Sequence, residues 1–211
     1  MAEYPKIPTV FARDPATNYR TMIVGEFAWP ELDFLKNNIW EFTEKVDGTN
    51  IRVMFKDGQI TFGGKSEISD IPTFLKVVLE EIFLPQHALF TGLFHDADVC
   101  LYGEGYGGKI QKTGPNYRKD HSFVLFDIRI GPWWLQRQDV DDIARKFGIE
   151  SVPVIGEGTL GDMIEKVKAG FNSLWGDFLA EGIVARPKTE LLARNGKRII
   201  TKIKHKDFIH L

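Results

Sequence analysis

The stretch Glu44–Asn50, which reads Glu-Lys-Val-Asp-Gly-Thr-Asn, contains a lysine whose amine could do covalent chemistry. Asp47-Gly48 is a turn signal, so Lys45 is expected where a strand ends and a loop begins. An amine held there can act as a nucleophile once desolvation or nearby positive charge lowers its pKa toward neutrality. The same pattern is also typical of an ordinary hairpin rim with its lysine in water. Lys45 is therefore a candidate nucleophile whose interpretation depends on the rest of the chain.

Apolar residues on both sides of this stretch recur at every second position, which is the period of strands with one buried face. They are Trp40 and Phe42 before the lysine, and Ile51, Val53 and Phe55 after it. The pattern predicts a strand pair, with Lys45 at the end of its first strand.

Further candidate residues follow or end other predicted strands. They are Lys65, Glu104, the pair Phe126-Asp127, Glu181, and the pair Lys202 and Lys204. The two lysines alternate with the apolar Ile203, so both ammonium groups are expected on one face of a strand. Each candidate also has an ordinary interpretation: an aromatic core residue, carboxylates at a sheet rim, or an exposed strand face.

Composition excludes little beyond a membrane-embedded or disordered chain. The chain has 211 residues, of which 43% are hydrophobic and 12% aromatic, enough for one domain with a full core, or for a large domain with an appendage. Its formal net charge of −2 favours no class of partner. The segment 186–206, however, carries eight Lys or Arg against one Glu. Such a run indicates either contact with phosphates or a merely solvated face.

Cys100 is the only cysteine, so no intrachain disulfide can form and a reducing compartment is expected. We see no apolar run long enough to span a bilayer and no signal-peptide pattern at the start. The expectation is a soluble, intracellular, cytoplasmic protein without a membrane partner.

The predicted elements indicate an α+β fold. Helices are expected at 72–83, from Asp139 or Asp141 to Phe147, and at 160–168. The first of them carries a stripe predicted to face the core: Phe74, Leu75, Val78, Leu79, Ile82 and Phe83. Strands are expected at 40–62, 99–103, 123–130, 183–185 and 199–203. Helices and strands do not alternate regularly, which favours antiparallel sheets over a parallel α/β sheet.

Taken in order, these motifs resemble those of the covalent nucleotidyltransferase superfamily of DNA ligases, RNA ligases and mRNA capping enzymes. Within it, the chain is most similar to RNA ligases of the RNA-editing and phage double-strand-repair types. Glu44–Asn50 matches their nucleophile motif, and Gly107–Lys112 after Glu104 is similar to the third. Phe126–Ile128, Glu181–Val184 and Lys202–Lys204 match the following ones. The resemblance covers about residues 40–206.

The resemblance implies a nucleotidyltransferase (adenylation) fold of largely antiparallel sheets with flanking helices and the nucleotide bound between them. It implies that Lys45 attacks ATP, the AMP donor, to form lysyl-AMP, and that the AMP then passes to an RNA 5′-phosphate, which is sealed to a 3′-hydroxyl. Lys202 and Lys204 are expected to stabilise the phosphate and to lower the pKa of Lys45, with Glu181 also catalytic. The expected cofactor is Mg²⁺ or Mn²⁺, held through water by Asp47, Glu104 and Glu181.

Roles in nucleotide binding are implied for several of the same residues. Phe126 is expected to stack on adenine and Glu44 to accept from its exocyclic amine. Glu104 is an alternative ligand of the ribose, and Lys65 of ribose or phosphate. Lys65 stands where an arginine is common, which removes a bidentate grip. The remaining residues expected to bind nucleotide are Val46, Asn50, Lys202 and Lys204.

Three other patterns are rejected. Gly103-x-Gly105-x-x-Gly108 satisfies a dinucleotide-binding pattern, but the Gly-Pro that follows cannot start the required helix. A protein-kinase interpretation of the same glycines is also rejected, because the other protein-kinase motifs are missing. His95–Asp98 could bind a metal but reads as a polar loop.

The resemblance predicts a single adenylation domain over 1–211, with 1–40 as an amino-terminal extension and no separate carboxy-terminal domain. The expected partner is RNA, as a nicked duplex or single-stranded ends, with DNA as the alternative. Self-association or a helper protein could replace the missing domain, and phage or bacterial host cytoplasm is the expected location. The alternatives are a minimal ATP-dependent DNA ligase, a less favoured guanylyltransferase, and a non-catalytic nucleotide- or RNA-binding module. Use of NAD⁺ is not expected.

Overall fold

Antiparallel sheets organise the chain, whose structure is a computed structural model that describes residues 3–209. The strands are β1 (Phe11–Arg13), β2 (Met22–Phe27), β3 (Trp40–Glu44), β4 (Thr49–Lys56), β5 (Gln59–Gly63), β6 (Val99–Gly107), β7 (His121–Ile130), β8 (Trp133–Trp134), β9 (Glu150–Ser151), β10 (Val154–Gly158), β11 (Gly182–Pro187) and β12 (Thr201–Lys204). The α-helices are α1 (Pro30–Phe34), α2 (Thr73–Phe83), α3 (His87–Phe94), α4 (Gly114–Tyr117), α5 (Arg137–Phe147) and α6 (Leu160–Ala169). Short 3₁₀ turns cover Pro15–Thr17, Leu84–Gln86 and His205–Phe208. The predicted α+β class is confirmed.

The chain divides into two compact units. The six-stranded unit comprises the residues up to Pro5 together with Asp47–Val152, and the four-stranded unit comprises Lys6–Val46 together with the chain from Pro153 onward. The single domain expected for 1–211 stays a prediction.

The six-stranded unit is built on the strand order β5-β4-β6-β7-β8, with β9 lying parallel to β7. One face of this sheet packs against α2, α3 and α5 in an apolar core. The stripe predicted for α2 holds at Leu75, Leu79 and Phe83, which are fully buried. Phe74 was wrongly predicted to face the core: it is 41% exposed, and its ring lies against His121 with centroids 4.5 Å apart.

The apolar segment Thr73–Phe94 would be long enough to cross a membrane by length and composition alone. The expectation that the chain has no such run was therefore wrong on that count. The 3₁₀ turn at Leu84–Gln86 interrupts the segment. On either side of this turn, the apolar side chains of Leu79, Phe83 and Phe90 lie in the core of the six-stranded unit. The core helix of a soluble protein passes the same test.

The four-stranded unit has the strand order β10-β3-β11-β12 and its own core. Helix α6 covers this sheet through Leu160, Met163 and Val167, which are fully buried. It begins at a capping box in which Thr159 and Asp162 exchange hydrogen bonds, which satisfies the free backbone N–H groups of its first turn. The predicted helix at 160–168 is thus confirmed, with Gly170 following its last residue.

Two local predictions were wrong. The strand pair expected around Lys45 does not form, because β3 belongs to the four-stranded sheet and β4 to the six-stranded one. Neither Asp139 nor Asp141 caps α5: the helix starts at Arg137 after Gln136, whose side chain makes no capping bond. The expected stop is confirmed, because Gly148 adopts the left-handed conformation that ends the helix (φ 63°).

The short strand β10 had no clear sequence signal. It reads Val-Ile-Gly-Glu-Gly, and its two glycines interrupt the alternation that marks a strand. The rejected dinucleotide pattern lies within β6 and the turn after it, and the next helix, α4, has only four residues. The reason given for the rejection was wrong, because α4 begins at that Gly114-Pro115, with the proline in its first turn. The rejection itself stands, since that motif requires a glycine-rich turn that opens directly into a helix, and α4 does not follow Gly108 directly.

Candidate functional site

Lys45 immediately follows β3 in the four-stranded unit, and its place is set by pairing with β11. In that antiparallel pair Glu44 lies opposite Ile183, and the backbone N–H of Lys45 donates to the carbonyl of Gly182 at 3.0 Å. Glu181, which precedes β11, is thereby brought beside Lys45. The Nζ of Lys45 donates to Glu181 Oε2 at 2.6 Å and lies 3.4 Å from the carbonyl oxygen of Val46.

The next strand brings a second cation to the same carboxylate. In the pairing of β11 with β12, Gly182 lies opposite Lys204, and Lys204 Nζ is 2.5 Å from Glu181 Oε1. A Cβ at Gly182 would stand 2.1 Å from the carbonyl oxygen of Ile203, so the close approach of the two strands requires glycine here. Glu181 therefore bridges two ammonium groups, and the three side chains together carry one formal positive charge.

These three side chains are largely screened from solvent. The exposed fractions are 19% for Lys45, 11% for Glu181 and 24% for Lys204. Electrostatic attraction is stronger in such surroundings than in bulk water. Lys202 lies two residues before Lys204 on the same face of β12, since the intervening Ile203 is fully buried in the core. The predicted shared face of the two lysines is confirmed.

Glu44 is almost completely buried, with 1% of its surface exposed. Its Oε2 accepts from the backbone N–H of Leu174 at 2.9 Å, whereas its Oε1 has no hydrogen-bond partner among the described residues. Burial raises the pKa of Glu44 above its ordinary value, opposed by the Leu174 N–H and the nearby Ser173 hydroxyl. A buried acceptor without a donor fits a ligand that carries an N–H group.

Asn50 and Glu104 face each other in the six-stranded unit, across the pair β4 and β6. Asn50 Oδ1 is buried and has no hydrogen-bond partner among residues 3–209. Arg52 lies two residues after Asn50 on β4 and is 3% exposed. Its Nε donates to the carbonyl of Gly64 at 2.9 Å. Arg52 was not among the predicted residues, although an arginine inside an apolar strand is a sequence signal for a buried polar contact.

Phe126 is the extra residue of a β-bulge. Across β6 and β7, Tyr102 pairs with Asp127 but Gly103 pairs with Leu125, so the register of the two strands skips Phe126. Bulges re-aim side chains and are frequent beside active sites. Phe126 is half-buried and outside the apolar core, contrary to its ordinary interpretation as a core residue.

Tyr4 packs against this bulge. Its ring meets that of Phe126 edge-on at 5.0 Å between centroids, and its hydroxyl donates to Asp127 Oδ2 at 2.8 Å. Asp127 is fully buried. Sequence analysis missed Tyr4, because a single tyrosine near the start of a chain belongs to no periodic pattern.

Asp47 and Gly48 are held by one side chain from the segment that matched the third motif, that of Gln111, and by those of Thr113 and Tyr117, which follow it. The Thr113 hydroxyl donates to Asp47 Oδ2 at 2.5 Å, Gln111 Nε2 donates to the carbonyl of Gly48 at 2.9 Å, and the Asp47 N–H donates to the Tyr117 hydroxyl at 3.2 Å. These bonds fix the backbone at Asp47 and Gly48, directly after Lys45 and Val46.

The expected metal ligands are not assembled as one cluster. Among residues 3–209, no group of three or more His, Cys, Asp or Glu side chains is arranged to hold a metal ion, which applies equally to His95–Asp98. Both oxygens of Glu181 contact lysines, and one oxygen of Asp47 accepts from Thr113. Mg²⁺ commonly keeps several waters and binds through one or two carboxylates plus substrate phosphates, so these residues fit a metal that arrives with a nucleotide. Lys65 lies exposed in the loop after β5.

Comparison with known proteins gives one family and one fold. A family model described as RNA ligase matches residues 38–204. Among curated proteins, none matches at a significant level. Solved structures of the Naegleria gruberi RNA ligase are similar to this chain. A mutant with ATP and Mn has a TM-score of 0.68 and 19% identity, and the match covers 97% of this chain and 56% of that chain. Another mutant with AMP and Mn has a TM-score of 0.69, 18% identity and coverages of 100% and 57%, and the protein with PPi has a TM-score of 0.66, 21% identity and coverages of 100% and 59%. The chain thus spans a little over half the length of these structures, and the likeness confirms the predicted nucleotidyltransferase fold.

Proposed function

Because this chain belongs to the RNA ligase family, we propose that it joins RNA ends in an ATP-dependent reaction that passes through AMP bound covalently to Lys45. The observation that carries this proposal is the bridge in which Glu181 joins Lys45 to Lys204. An amine beside a carboxylate and a second fixed cation is the arrangement that nucleophilic attack on an anionic phosphorus needs.

In the first step the amine of Lys45, having lost a proton, attacks the α-phosphorus of ATP. A nitrogen–phosphorus bond forms, the bond to the bridging oxygen breaks, and pyrophosphate leaves. Glu181 is the carboxylate within hydrogen-bond reach of the departing proton. Lys202 and Lys204 supply positive charge for the phosphate. The RNA 5′-phosphate then displaces Lys45 from AMP, and a 3′-hydroxyl attacks that phosphate and expels AMP.

Adenine recognition falls to Glu44 and Phe126. Glu44 Oε1 is a buried acceptor in need of a donor, which the exocyclic amine of adenine supplies and the O6 of guanine does not. Phe126 offers a half-buried ring for stacking. The ribose and phosphates are proposed to be bound by Asn50, Glu104 and Lys65. The backbone of Val46, beside Lys45, is proposed to contribute to nucleotide binding.

A divalent ion, Mg²⁺ or Mn²⁺, would neutralise phosphate charge when bound, held through water by Asp47, Glu104 and Glu181. The similar Naegleria gruberi structures carry Mn with ATP or AMP, which supports this assignment. Glu181 would exchange a lysine contact for the ion or its water.

The proposed partner is RNA, as a nicked duplex or as single-stranded ends, with DNA as a second possible substrate. The chain is proposed to act in the cytoplasm as one adenylation domain, with residues 1–40 as an extension. Self-association or a helper protein would support end recognition.

The deciding experiment is mass spectrometry of the purified protein after incubation with ATP and Mg²⁺. The expected result is a gain of one AMP on Lys45 that Lys45→Ala abolishes. Label transfer from ATP, GTP and NAD⁺ is compared in parallel, followed by a chase with nicked RNA or nicked DNA. Transfer from GTP alone would indicate a guanylyltransferase, sealing of DNA alone a DNA ligase, and nucleotide binding without transfer a non-catalytic module. Retention of the label by Lys45→Ala would disprove the choice of nucleophile.

A further inference from the structure

We propose that the segment Pro8–Arg13, here called the N-terminal bracket, positions Lys202 and Lys204 for catalysis. The positioning residues are Arg13 of the bracket and Asp207 of the 3₁₀ turn after β12. The proposal rests on the proposed function, because it concerns the same cluster of side chains. The bracket, Asp207, and the cluster of Lys45, Glu181 and Lys204 all belong to the four-stranded unit.

The bracket pairs with β12 at Lys202. The backbone N–H of Lys202 donates to the carbonyl of Pro8 at 3.1 Å, and its carbonyl accepts from the N–H of Val10 at 3.0 Å. The hydroxyl of Thr201, a fully buried residue, also donates to the Pro8 carbonyl at 3.2 Å. Strand β12 is an edge strand that pairs with β11 on one side, and these bonds support its other side.

Arg13 reaches the other end of β12 through Asp207. Its Nη2 lies 2.7 Å from Asp207 Oδ1, and Asp207 Oδ2 accepts from the backbone N–H of Lys204 at 3.1 Å. The carbonyl of Arg20 accepts from Arg13 Nη1 at 3.0 Å, which fixes the orientation of the guanidinium group. Asp207 is 7% exposed and Arg13 24% exposed, so this is not a solvated surface pair.

The contacts continue without a break to the nucleophile. Asp207 holds the backbone of Lys204, the side chain of Lys204 contacts Glu181 Oε1, and Glu181 Oε2 accepts from Lys45. Displacement of a catalytic group by about 1 Å can cost on the order of a hundredfold in rate. Residues of the amino-terminal extension therefore determine how accurately the cations of β12 meet the phosphate.

The test compares Arg13→Ala, Arg13→Lys and Asp207→Asn with a control, Glu157→Gln, which removes a surface ion pair with Lys188 (2.7 Å) in the same unit. Two quantities are measured. One is the NMR signal of the Lys204 side chain at a fixed pH, assigned with Lys204→Arg. The other is the single-turnover rate of AMP transfer to Lys45 over a range of ATP concentrations.

In Arg13→Ala and Asp207→Asn, the Lys204 signal is expected to move toward that of an exposed lysine. The rate at saturating ATP is expected to fall about tenfold or more, while the ATP concentration for half-maximal rate changes less than about threefold. Arg13→Lys is expected to recover part of the loss, and Glu157→Gln to match the unmodified protein.

The proposal is overturned if both variants keep the Lys204 signal and the transfer rate of the control. It is equally overturned if Arg13→Ala lowers only the melting temperature, with the Lys204 signal unchanged while the protein is folded. If the unmodified protein takes no AMP but Arg13→Ala still shifts the Lys204 signal, the proposed function fails and the positioning contact stands.

Discussion

Glu181 Oε2 accepts a hydrogen bond from Lys45 Nζ at 2.6 Å, although the two residues are 136 positions apart in the chain. The pairing of β3 with β11 brings them together, because Lys45 directly follows β3 and Glu181 directly precedes the antiparallel β11. The same carboxylate meets Lys204 through its other oxygen. Removal of this carboxylate would leave two half-buried cations side by side.

Glu181→Gln is expected to lower the rate of AMP transfer to Lys45 by about a hundredfold or more. The amide keeps the size of the side chain but offers only one acceptor oxygen, and its NH₂ group points at a cation. Single-turnover label transfer from ATP measures the effect, with Glu157→Gln as the control. A rate within about threefold of the unmodified protein would contradict the role given to the bridge.

Glu44→Gln is expected to change how stability depends on pH. Burial raises the pKa of Glu44 in the folded protein above 4.5. Between that pH and the raised pKa, the folded state binds more protons than the unfolded state, so the unfolding free energy of the unmodified protein falls as the pH rises. The glutamine variant lacks this loss and should gain stability relative to the unmodified protein as the pH rises through that window. Urea unfolding at several pH values measures the difference, and a difference independent of pH would contradict the expectation.

The same substitution is expected to weaken the preference for adenine. The amide of the Glu44→Gln variant could present its NH₂ group to guanine O6, whereas the carboxylate can only accept. We expect about a tenfold smaller ratio of ATP to GTP use, measured as label transfer from the two nucleotides. An unchanged ratio would remove Glu44 from adenine recognition.

Tyr4→Phe is expected to reduce the free energy of unfolding by about 1–3 kcal/mol, because it withdraws a donor from the buried carboxylate of Asp127 while it keeps the aromatic packing. Denaturant unfolding measures the loss. Tyr19→Phe is the matched control, since Tyr19 is 66% exposed. Equal stability of the two variants would mean that the Tyr4 hydroxyl does not contribute.

Gly48→Ala is expected to destabilise the fold by about 1–3 kcal/mol and to slow AMP transfer. A Cβ there would stand 2.3 Å from the carbonyl oxygen of Gly105 and 2.7 Å from Glu104 Cγ, so the turn after the nucleophile would have to move. Gly92→Ala in α3 meets no atom within 4 Å and should stabilise the protein by about 0.5–1 kcal/mol. Thermal unfolding of both variants tests the contrast.

Residues within recognisable motifs could be identified before the structure was known. Lys45, Glu181 and Lys204 were singled out from local patterns, and the structure brings them together. Arg13 and Tyr4 could not be identified in this way. Their importance comes from Asp207 and Asp127, partners 194 and 123 positions away, and no local period carries that information.

The strand pair expected around Lys45 illustrates the same limit. Alternating apolar residues correctly indicated strands on both sides of the lysine, because alternation follows from one buried face. Alternation does not specify which strand lies alongside. The partners of β3 are β10 and β11, more than a hundred residues further along the chain.

The sequence by itself determined the α+β class, most of the elements, and the residue types able to transfer a nucleotide, because periodicity, turn residues and motif order are local properties. Only the tertiary structure decided that Glu181 holds two lysines at once, that Phe126 sits on a bulge, and that Arg13 supports Lys204 through Asp207. Each of these depends on strand register and long-range packing, which many distant residues set together.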